Sequence, residues 1–296
     1  MGASIFRGDQ KEEKSGIHQE DISNLQQYRI SAVEIPENIS FAGEKVPVDL
    51  YYVRESLDKE LTVNTYWHSS TLLMMKRSSR YLPLIEPILK EEGVPDDFKY
   101  VALIESGFEN VTSPAGAVGF WQFLKGTAKD YGLEVNKEVD ERYHLEKATR
   151  AACRYFKDAY EDYGNWTLVA AAFNAGKRGI NRQIDRQKEE TYYDLLLDDE
   201  TERYIFRILA MKTIFTNPEK YGFDVDRKDL YDPIPTFTVS IADEVPSWAD
   251  FAKENGITYR ILKDFNPWLR QSYLKNRHNK EYKILLPEAE YLRNGR

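Results

Sequence analysis

The chain has 296 residues, enough for one large domain or two smaller ones, and its 42% apolar content allows a sizeable core. With 41 lysines and arginines against 49 aspartates and glutamates, its net charge of -8 argues against DNA or RNA as the main ligand. A single cysteine, Cys153, excludes an intramolecular disulfide and is expected to be buried and inert, and the four histidines are scattered without zinc-ligand spacing. No apolar run is long enough to span a membrane.

Residues 1–45 are polar and weakly periodic, which predicts an N-terminal extension that is partly ordered at best. The first ten residues, MGASIFRGDQ, contain no apolar region of the signal-peptide type, although Met-Gly at the start is also compatible with a removed export signal. Phe6 stands where the myristoylation pattern needs serine or threonine. The sequence therefore does not by itself indicate a compartment.

From residue 46 to about residue 221 the pattern is helical, with no confident strand. Ser78 or Ser79 and Thr127 are predicted as helix N-caps, and a glycine or proline follows most of the segments, as is typical of helix ends. The segment 96–105 is nearly all apolar, so we expect a centrally buried helix. The predicted helices cover 46–61, 78–93, 96–105, 127–132, 145–164, 165–176 and 200–215. These segments predict an all-helical domain over residues 46–225.

After Tyr231 the pattern changes to that of a small α+β unit. DPIPTFTVSI alternates β-branched and aromatic residues, which predicts a strand, and YKILLP predicts a second one. Between them lie a predicted helix at 245–256, capped by Ser247, and another at 258–269 that ends before Pro267. The order strand, helix, helix, strand predicts a compact module over residues 232–296.

The stretch VALIESGFENVTSPAGAVGFWQF, residues 101–123, contains the main candidate for a reacting group. Glu105 ends an apolar helix, where poor solvation raises a carboxyl pKa and suits general acid catalysis, although a glutamate at a helix end is more often simply exposed. Ser106 and Gln122 bring a hydroxyl and an amide nearby, and Trp121 either lines a groove or fills the core. Gly119 belongs to a turn that would let backbone approach a ligand closely.

Four motifs, ALIESGF, GFWQF, AAFNAG and ETERY, occur in this order between about residues 80 and 221. In order and spacing they resemble the lytic murein transglycosylases, the goose-lysozyme-like (SLT) branch of peptidoglycan-cleaving enzymes. The resemblance implies a mainly α, lysozyme-like catalytic domain that cleaves glycan strands of peptidoglycan, without cofactor or metal. It also implies export to the periplasm or to the outer membrane, with membrane association only through a removed N-terminal signal or anchor.

The same resemblance implies roles for individual residues. Glu105 would be the single acid/base that protonates the glycosidic oxygen and then helps the muramyl C6 hydroxyl to form a 1,6-anhydro end. Phe120 and Phe173 depart from the leucine and tyrosine usual in this family, and the second change removes a hydroxyl. The Tyr204 hydroxyl would reach towards Glu105 or the substrate. The positions matched to the substrate site are Ser106, Trp121, Gln122, Phe173, Asn174 and Tyr204.

Two alternatives to this interpretation remain open at the sequence level. A muramidase would use water in place of the C6 hydroxyl, and a non-catalytic protein would only bind peptidoglycan. Glu109 is a conceivable second carboxylate, but we expect Gly107 to end the helix and to leave Glu109 in a solvated loop. Asp140 and Arg142 resemble a family stretch, and we interpret them as a helix cap with a salt bridge.

The C-terminal module resembles a LysM domain, which implies binding of N-acetylglucosamine chains. Phe237, Val239 and Asp243 fit the start of that pattern, whereas Ala242 stands where the family has glycine. The alternative is a degenerate module that only packs on the catalytic domain.

Overall fold

The computed structural model describes residues 30–292, without the side chain of Leu292. Most of the predicted extension, residues 1–29, lies outside the described residues, as do residues 293–296. From Val33 onward the chain forms one compact unit. Two short antiparallel strands, β1 (Ser40–Phe41) and β2 (Glu44–Lys45), lie before the first helix, and the Phe41 ring is fully buried.

A helical domain follows, as the sequence predicts. Between residues 46 and 221 the chain forms helices, short 3-10 turns and isolated β-bridges but no β-strand. Its α-helices are α1 (Tyr51–Tyr66), α2 (His68–Glu91), α3 (Lys99–Ser106), α4 (Lys125–Asp130), α5 (Leu145–Tyr163), α6 (Trp166–Ala175), α7 (Lys177–Gln187) and α8 (Asp199–Thr216).

Several helix ends are where the sequence predicts them. Gly164 ends α5 in the left-handed conformation, at a φ of 59°. Asn165 then begins α6, because its Oδ1 accepts a hydrogen bond of 2.8 Å from the amide of Leu168. The 3-10 turn at residues 96–98 and α3 together cover the predicted helix at 96–105.

Two predicted N-caps are wrong, and one helix was not predicted. α2 begins at His68, so Ser78 lies inside it, where its hydroxyl donates to the carbonyl of Met74 at 2.7 Å. α4 begins before Thr127, at Lys125. α7 is very polar and buries only Ile180, so its sequence carries little of the apolar periodicity on which prediction depends.

The segment α3 lies at the centre of the helical domain, in agreement with its apolar sequence. Tyr100, Val101, Ala102 and Leu103 are buried, and both α2 and α8 pack on this helix. The end of α3, which carries Glu105, is thereby held between two much longer helices.

The C-terminal module has the predicted order of elements. It consists of β3 (Thr236–Ile241), α9 (Trp248–Glu254), α10 (Tyr259–Phe265) and β4 (Tyr282–Pro287), with β3 antiparallel to β4. Ser247 caps α9, and α10 ends before Pro267. Trp248, Leu262, Trp268 and Ile284 are at the centre of its own apolar core, to which the helical domain contributes Val139. Among residues 30–292, no helix is long and apolar enough to cross a membrane.

Candidate active site

Glu105 is the next-to-last residue of α3, directly before the turn that ends this helix. Gly107 takes a left-handed conformation, at a φ of 58°, and its amide bonds to the carbonyl of Leu103. The Glu105 carboxyl keeps a partly open edge but is otherwise closely surrounded by protein. The hydroxyl of Tyr204 donates a hydrogen bond of 2.6 Å to its Oε1.

The surroundings of Glu105 bring the pKa of its carboxyl close to neutral pH. Burial raises the pKa of the Glu105 carboxyl from 4.5 to about 7, against the hydrogen bond from Tyr204 and the positive charge of Arg207, which lower it. The negative charge of Glu200 raises the pKa further. A carboxyl with a pKa of about 7 can release a proton and take one back near neutral pH.

Tyr204 and Arg207 both reach this site from α8, one turn apart. The Tyr204 side chain is almost fully buried, and burial raises the pKa of its phenol well above the usual value. Arg207 was not predicted from the sequence; its Nη2 donates to the carbonyl of Ile104 at 3.2 Å, immediately before Glu105. The one available signal was its position three residues after Tyr204, which places both on the same helix face.

Ser106 connects α3 to the loop that follows it. Its hydroxyl lies 3.1 Å from the carbonyl oxygen of Ala102 and 3.0 Å from that of Phe120, and it accepts a hydrogen bond from the amide of Phe108. The Ser106 side chain is therefore already engaged within the protein, and it fixes the loop against the end of α3.

Gln122 lies in that loop with a left-handed backbone, at a φ of 46°. Its Nε2 donates to the carbonyls of Gly119 at 2.7 Å and Val111 at 3.2 Å, which orients the amide. Gly119 is needed for a protein contact, because a Cβ there would lie 2.1 Å from the carbonyl oxygen of Arg142. The close backbone approach expected at Gly119 is thus made to another segment of the chain.

The structure does not place Trp121 in a groove, as a role in substrate binding would require. Its side chain has no exposed surface, and its Nε1 donates to the hydroxyl of Thr149 at 2.9 Å. Phe173 is partly buried and packs edge-on against Trp121, Phe123 and Tyr155. Trp121 therefore fills the core behind the site, the second of the two possibilities that the sequence left open.

Asn174 lies near the end of α6, beside an open pocket of about 220 Å³ formed with α7 and the start of α8. Its Oδ1 accepts a hydrogen bond of 3.0 Å from the hydroxyl of Thr201. Glu200, whose charge raises the pKa of Glu105, lines the same pocket. The structure thus joins the end of α6 to the start of α8 at this pocket, which Glu105 itself does not line.

Two further expectations are confirmed. Glu109 is exposed in the loop after Gly107 and forms an ion pair with Arg77, whose Nη1 also donates to the carbonyl of Gly107. Asp140 caps a 3-10 turn by accepting from the amide of Arg142, and the two side chains form a buried ion pair of 2.7 Å.

In the part of the chain that the structure describes, neither a metal site nor a reactive thiol is found. Over residues 30–292, no group of three or more His, Cys, Asp or Glu side chains is placed to hold a metal ion. Cys153 is buried, and burial raises the pKa of its thiol to about 12, so this thiol is inert.

Two known domain families match this chain. Residues 83–196 match the family model of the transglycosylase SLT domain. Within the helical domain, this range is therefore similar to an SLT domain. The matched range of the SLT domain includes Glu105, Ser106, Gln122 and Asn174, and it ends before Tyr204. Residues 237–290 match the soluble lytic transglycosylase C-terminal LysM-like domain, which corresponds to the α+β module.

Individual proteins similar to this chain carry related names. Membrane-bound lytic murein transglycosylase D of Escherichia coli strain K12 is 29% identical over 228 residues, covering 75% of this chain and 49% of the relative. The same protein from E. coli O6:H1 strain CFT073 matches equally. The chain thus spans about half the length of these relatives. A solved structure of an inactive mutant of lytic transglycosylase Slt from Pseudomonas aeruginosa has a TM-score of 0.38 and 20% identity, over 52% of this chain and 26% of that one.

Proposed function

We propose that this chain is a peptidoglycan lytic transglycosylase that cleaves the bond between N-acetylmuramic acid and N-acetylglucosamine. The observation that carries the proposal is Glu105, a carboxyl with a pKa of about 7, hydrogen-bonded to Tyr204 at the end of a buried helix in an SLT domain. A general acid with this pKa remains partly protonated at neutral pH, which protonation of a glycosidic oxygen requires.

The reaction divides into two proton transfers at one carboxyl. Glu105 first gives its proton to the glycosidic oxygen, and the bond from C1 of the muramyl residue to that oxygen breaks. The Glu105 carboxylate then takes the proton of the muramyl C6 hydroxyl while its oxygen bonds to C1. A 1,6-anhydro ring forms, no water is consumed, and Glu105 is protonated again.

One carboxyl is sufficient for this sequence because the nucleophile belongs to the substrate, whereas a conventional glycosidase uses two carboxyls. Glu109 is the carboxyl nearest to Glu105 in sequence, and its ion pair with Arg77 holds it in the exposed loop. Glu200 is exposed, lines the pocket beside Asn174, and its charge raises the pKa of Glu105, so it is the residue to test for a hydrolytic role.

The other site residues support Glu105 in different ways. Tyr204 holds the carboxyl and supplies the phenol that the change to Phe173 removes from the family pattern. Asn174 and Gln122 offer amides to the substrate, and Ser106 fastens the intervening loop. Trp121 acts from the core by supporting this loop and is not a contact to the glycan.

In this proposal, residues 46–225 form the catalytic domain, residues 1–45 precede it and residues 232–296 form a module that binds glycan strands. The substrate is found in the bacterial cell envelope, so the enzyme acts there, in the periplasm or at the outer membrane.

The test is mass spectrometry of soluble products from purified peptidoglycan incubated with wild type, Glu105→Gln and Glu200→Gln. We expect 1,6-anhydromuropeptides, which are lighter by one water than hydrolysis products, from wild type and Glu200→Gln but not from Glu105→Gln. Reducing ends from wild type that disappear in Glu200→Gln would identify a hydrolase. Absence of products from wild type, with binding to peptidoglycan retained, would identify a binding protein.

A further inference from the structure

The stretch between α4 and α5 lies between the SLT domain and the LysM-like module. We name residues 134–143 the connecting segment and residues 111–123 the site loop. The connecting segment belongs to the helical domain in sequence, yet Val139 is fully buried in the apolar core of the module. Val139 forms an isolated antiparallel bridge with Leu269 of the module.

Many polar contacts join the connecting segment to the module. The amide of Asp140 donates to the carbonyl of Trp268 at 2.9 Å, and the amide of Arg270 donates to the carbonyl of Glu138 at 2.8 Å. Further along, the Glu134 carboxylate pairs with Lys280 and accepts hydrogen bonds from the Tyr282 hydroxyl. The module is therefore docked on this segment through backbone, apolar and charged contacts together.

The same segment holds the site loop from its other side. The Nη1 of Arg142 donates to the carbonyls of Gly116 and Phe123, at 3.1 Å each. The hydroxyls of Tyr143 and Thr112 lie 3.0 Å apart, within hydrogen-bond distance. The Arg142 carbonyl packs so closely on the loop backbone that only glycine fits at position 119.

Tyr143 links the two sets of contacts in a single side chain. Its ring lies under the guanidinium of Arg270, at 4.2 Å from the ring centre, and packs on the module core, while its hydroxyl reaches Thr112. The site loop in turn bonds through the carbonyl of Phe120 to Ser106, the residue after Glu105. A continuous series of contacts thus runs from the module to the candidate acid.

We propose that the LysM-like module positions the site loop beside Glu105 through the connecting segment, so that docking of the module sets the turnover rate. The effect on rate rests on the proposed function, whereas the effect on the loop does not. Gln122 has a strained left-handed backbone within this loop, and such a conformation persists when its surroundings hold it in place. Tyr143 and Arg142 are positioning residues in this scheme.

The experiment uses the full chain with Arg270→Gln, which removes the cation above the Tyr143 ring, and Tyr143→Phe, which removes only the hydroxyl link. Arg260→Gln is the matched control, because Arg260 is an exposed arginine of the same module that forms an ion pair with Asp264 on its own helix. Steady-state rates are measured on short soluble glycan strands, so that binding of the same strand to the LysM-like module adds little to the measured rate. Hydrogen exchange of the site-loop amides is measured in the same proteins.

We expect Arg270→Gln and Tyr143→Phe each to lower kcat by about three- to tenfold with KM near that of wild type, since small displacements of a site cost rate. Their combination should be no slower than the slower single variant, because both interrupt one series of contacts. Both should speed exchange in the site loop, and Arg260→Gln should do neither.

Two results would overturn the inference: site-loop exchange equal to that of wild type in Arg270→Gln, or kcat equal to that of Arg260→Gln while binding to insoluble peptidoglycan weakens. The second result would make the module a glycan-binding unit alone. If wild type forms no anhydro product but Arg270→Gln speeds loop exchange, the proposed function fails and the mechanical coupling stands.

Discussion

Replacing Glu105 by Gln should stabilise the protein at alkaline pH, in addition to its effect on activity. The fold raises the pKa of this carboxyl from 4.5 to about 7, so the folded chain holds the proton more tightly than the unfolded chain. The corresponding stability is present in full below pH 4.5 and is lost as pH rises through about 7. Glutamine cannot ionise, and its carbonyl oxygen can still accept the hydrogen bond from Tyr204.

The size of the effect follows from the pKa difference. A shift of this extent corresponds to about 3 kcal/mol at pH 8, since each pKa unit is worth about 1.4 kcal/mol. The partly open edge of the Glu105 carboxyl reduces this to about 2 kcal/mol, because solvent screens part of the penalty. At pH 5 the difference between variant and wild type should be within about 1 kcal/mol.

Urea unfolding of wild type and Glu105→Gln at pH 5, 6, 7 and 8 tests the argument directly. Glu109→Gln is the matched control, because it removes a carboxyl four residues away that is exposed. A free energy of unfolding that changes with pH in the same way in wild type and Glu105→Gln would refute the reasoning, and with it the electrostatic basis of the proposed acid.

Three further predictions concern the surroundings of the site. Tyr204→Phe removes a hydrogen bond that lowers the pKa of the Glu105 carboxyl. The alkaline limb of the pH–activity profile should therefore shift to higher pH, and kcat should fall about tenfold or more. Tyr192→Phe changes another buried tyrosine and should leave the alkaline limb at the same pH. Burial lowers the pKa of His144 to about 4, so the unfolded chain takes up a proton first as pH falls. The fold should therefore lose up to about 3 kcal/mol between pH 6.5 and 4, and urea unfolding of His144→Asn should show a smaller loss. Gly119→Ala should destabilise the protein by about 3 kcal/mol or more in thermal unfolding, because its Cβ would lie 2.1 Å from a carbonyl oxygen. A Cβ at Gly116 meets open space, so Gly116→Ala should cost only about 1 kcal/mol of backbone strain. Equal losses in the two glycine variants would contradict the close packing at position 119.

The sequence alone predicted those features that depend on neighbours along the chain. Gly164 and Asn165 mark a helix boundary because left-handed glycine and an N-cap side chain act within one turn. The alternation in residues 236–241 predicted the first strand of the module, and the stretch YKILLP predicted the second. The raised pKa of Glu105 was likewise expected from its place at the end of an apolar helix.

Only the tertiary structure decided the features that depend on residues distant in sequence. Whether Trp121 faces a ligand or the core depends on α5, where the Thr149 hydroxyl accepts a hydrogen bond from the indole N–H. Tyr204, the partner of Glu105, lies 99 residues away, so the family resemblance implied this pairing but only the tertiary structure shows the hydrogen bond. The sequence near Val139 does not indicate that its side chain is buried in the core of the C-terminal module, because a buried valine has the same local pattern in either core. Periodicity and caps are local effects, whereas contacts such as these are chosen by how the finished elements pack.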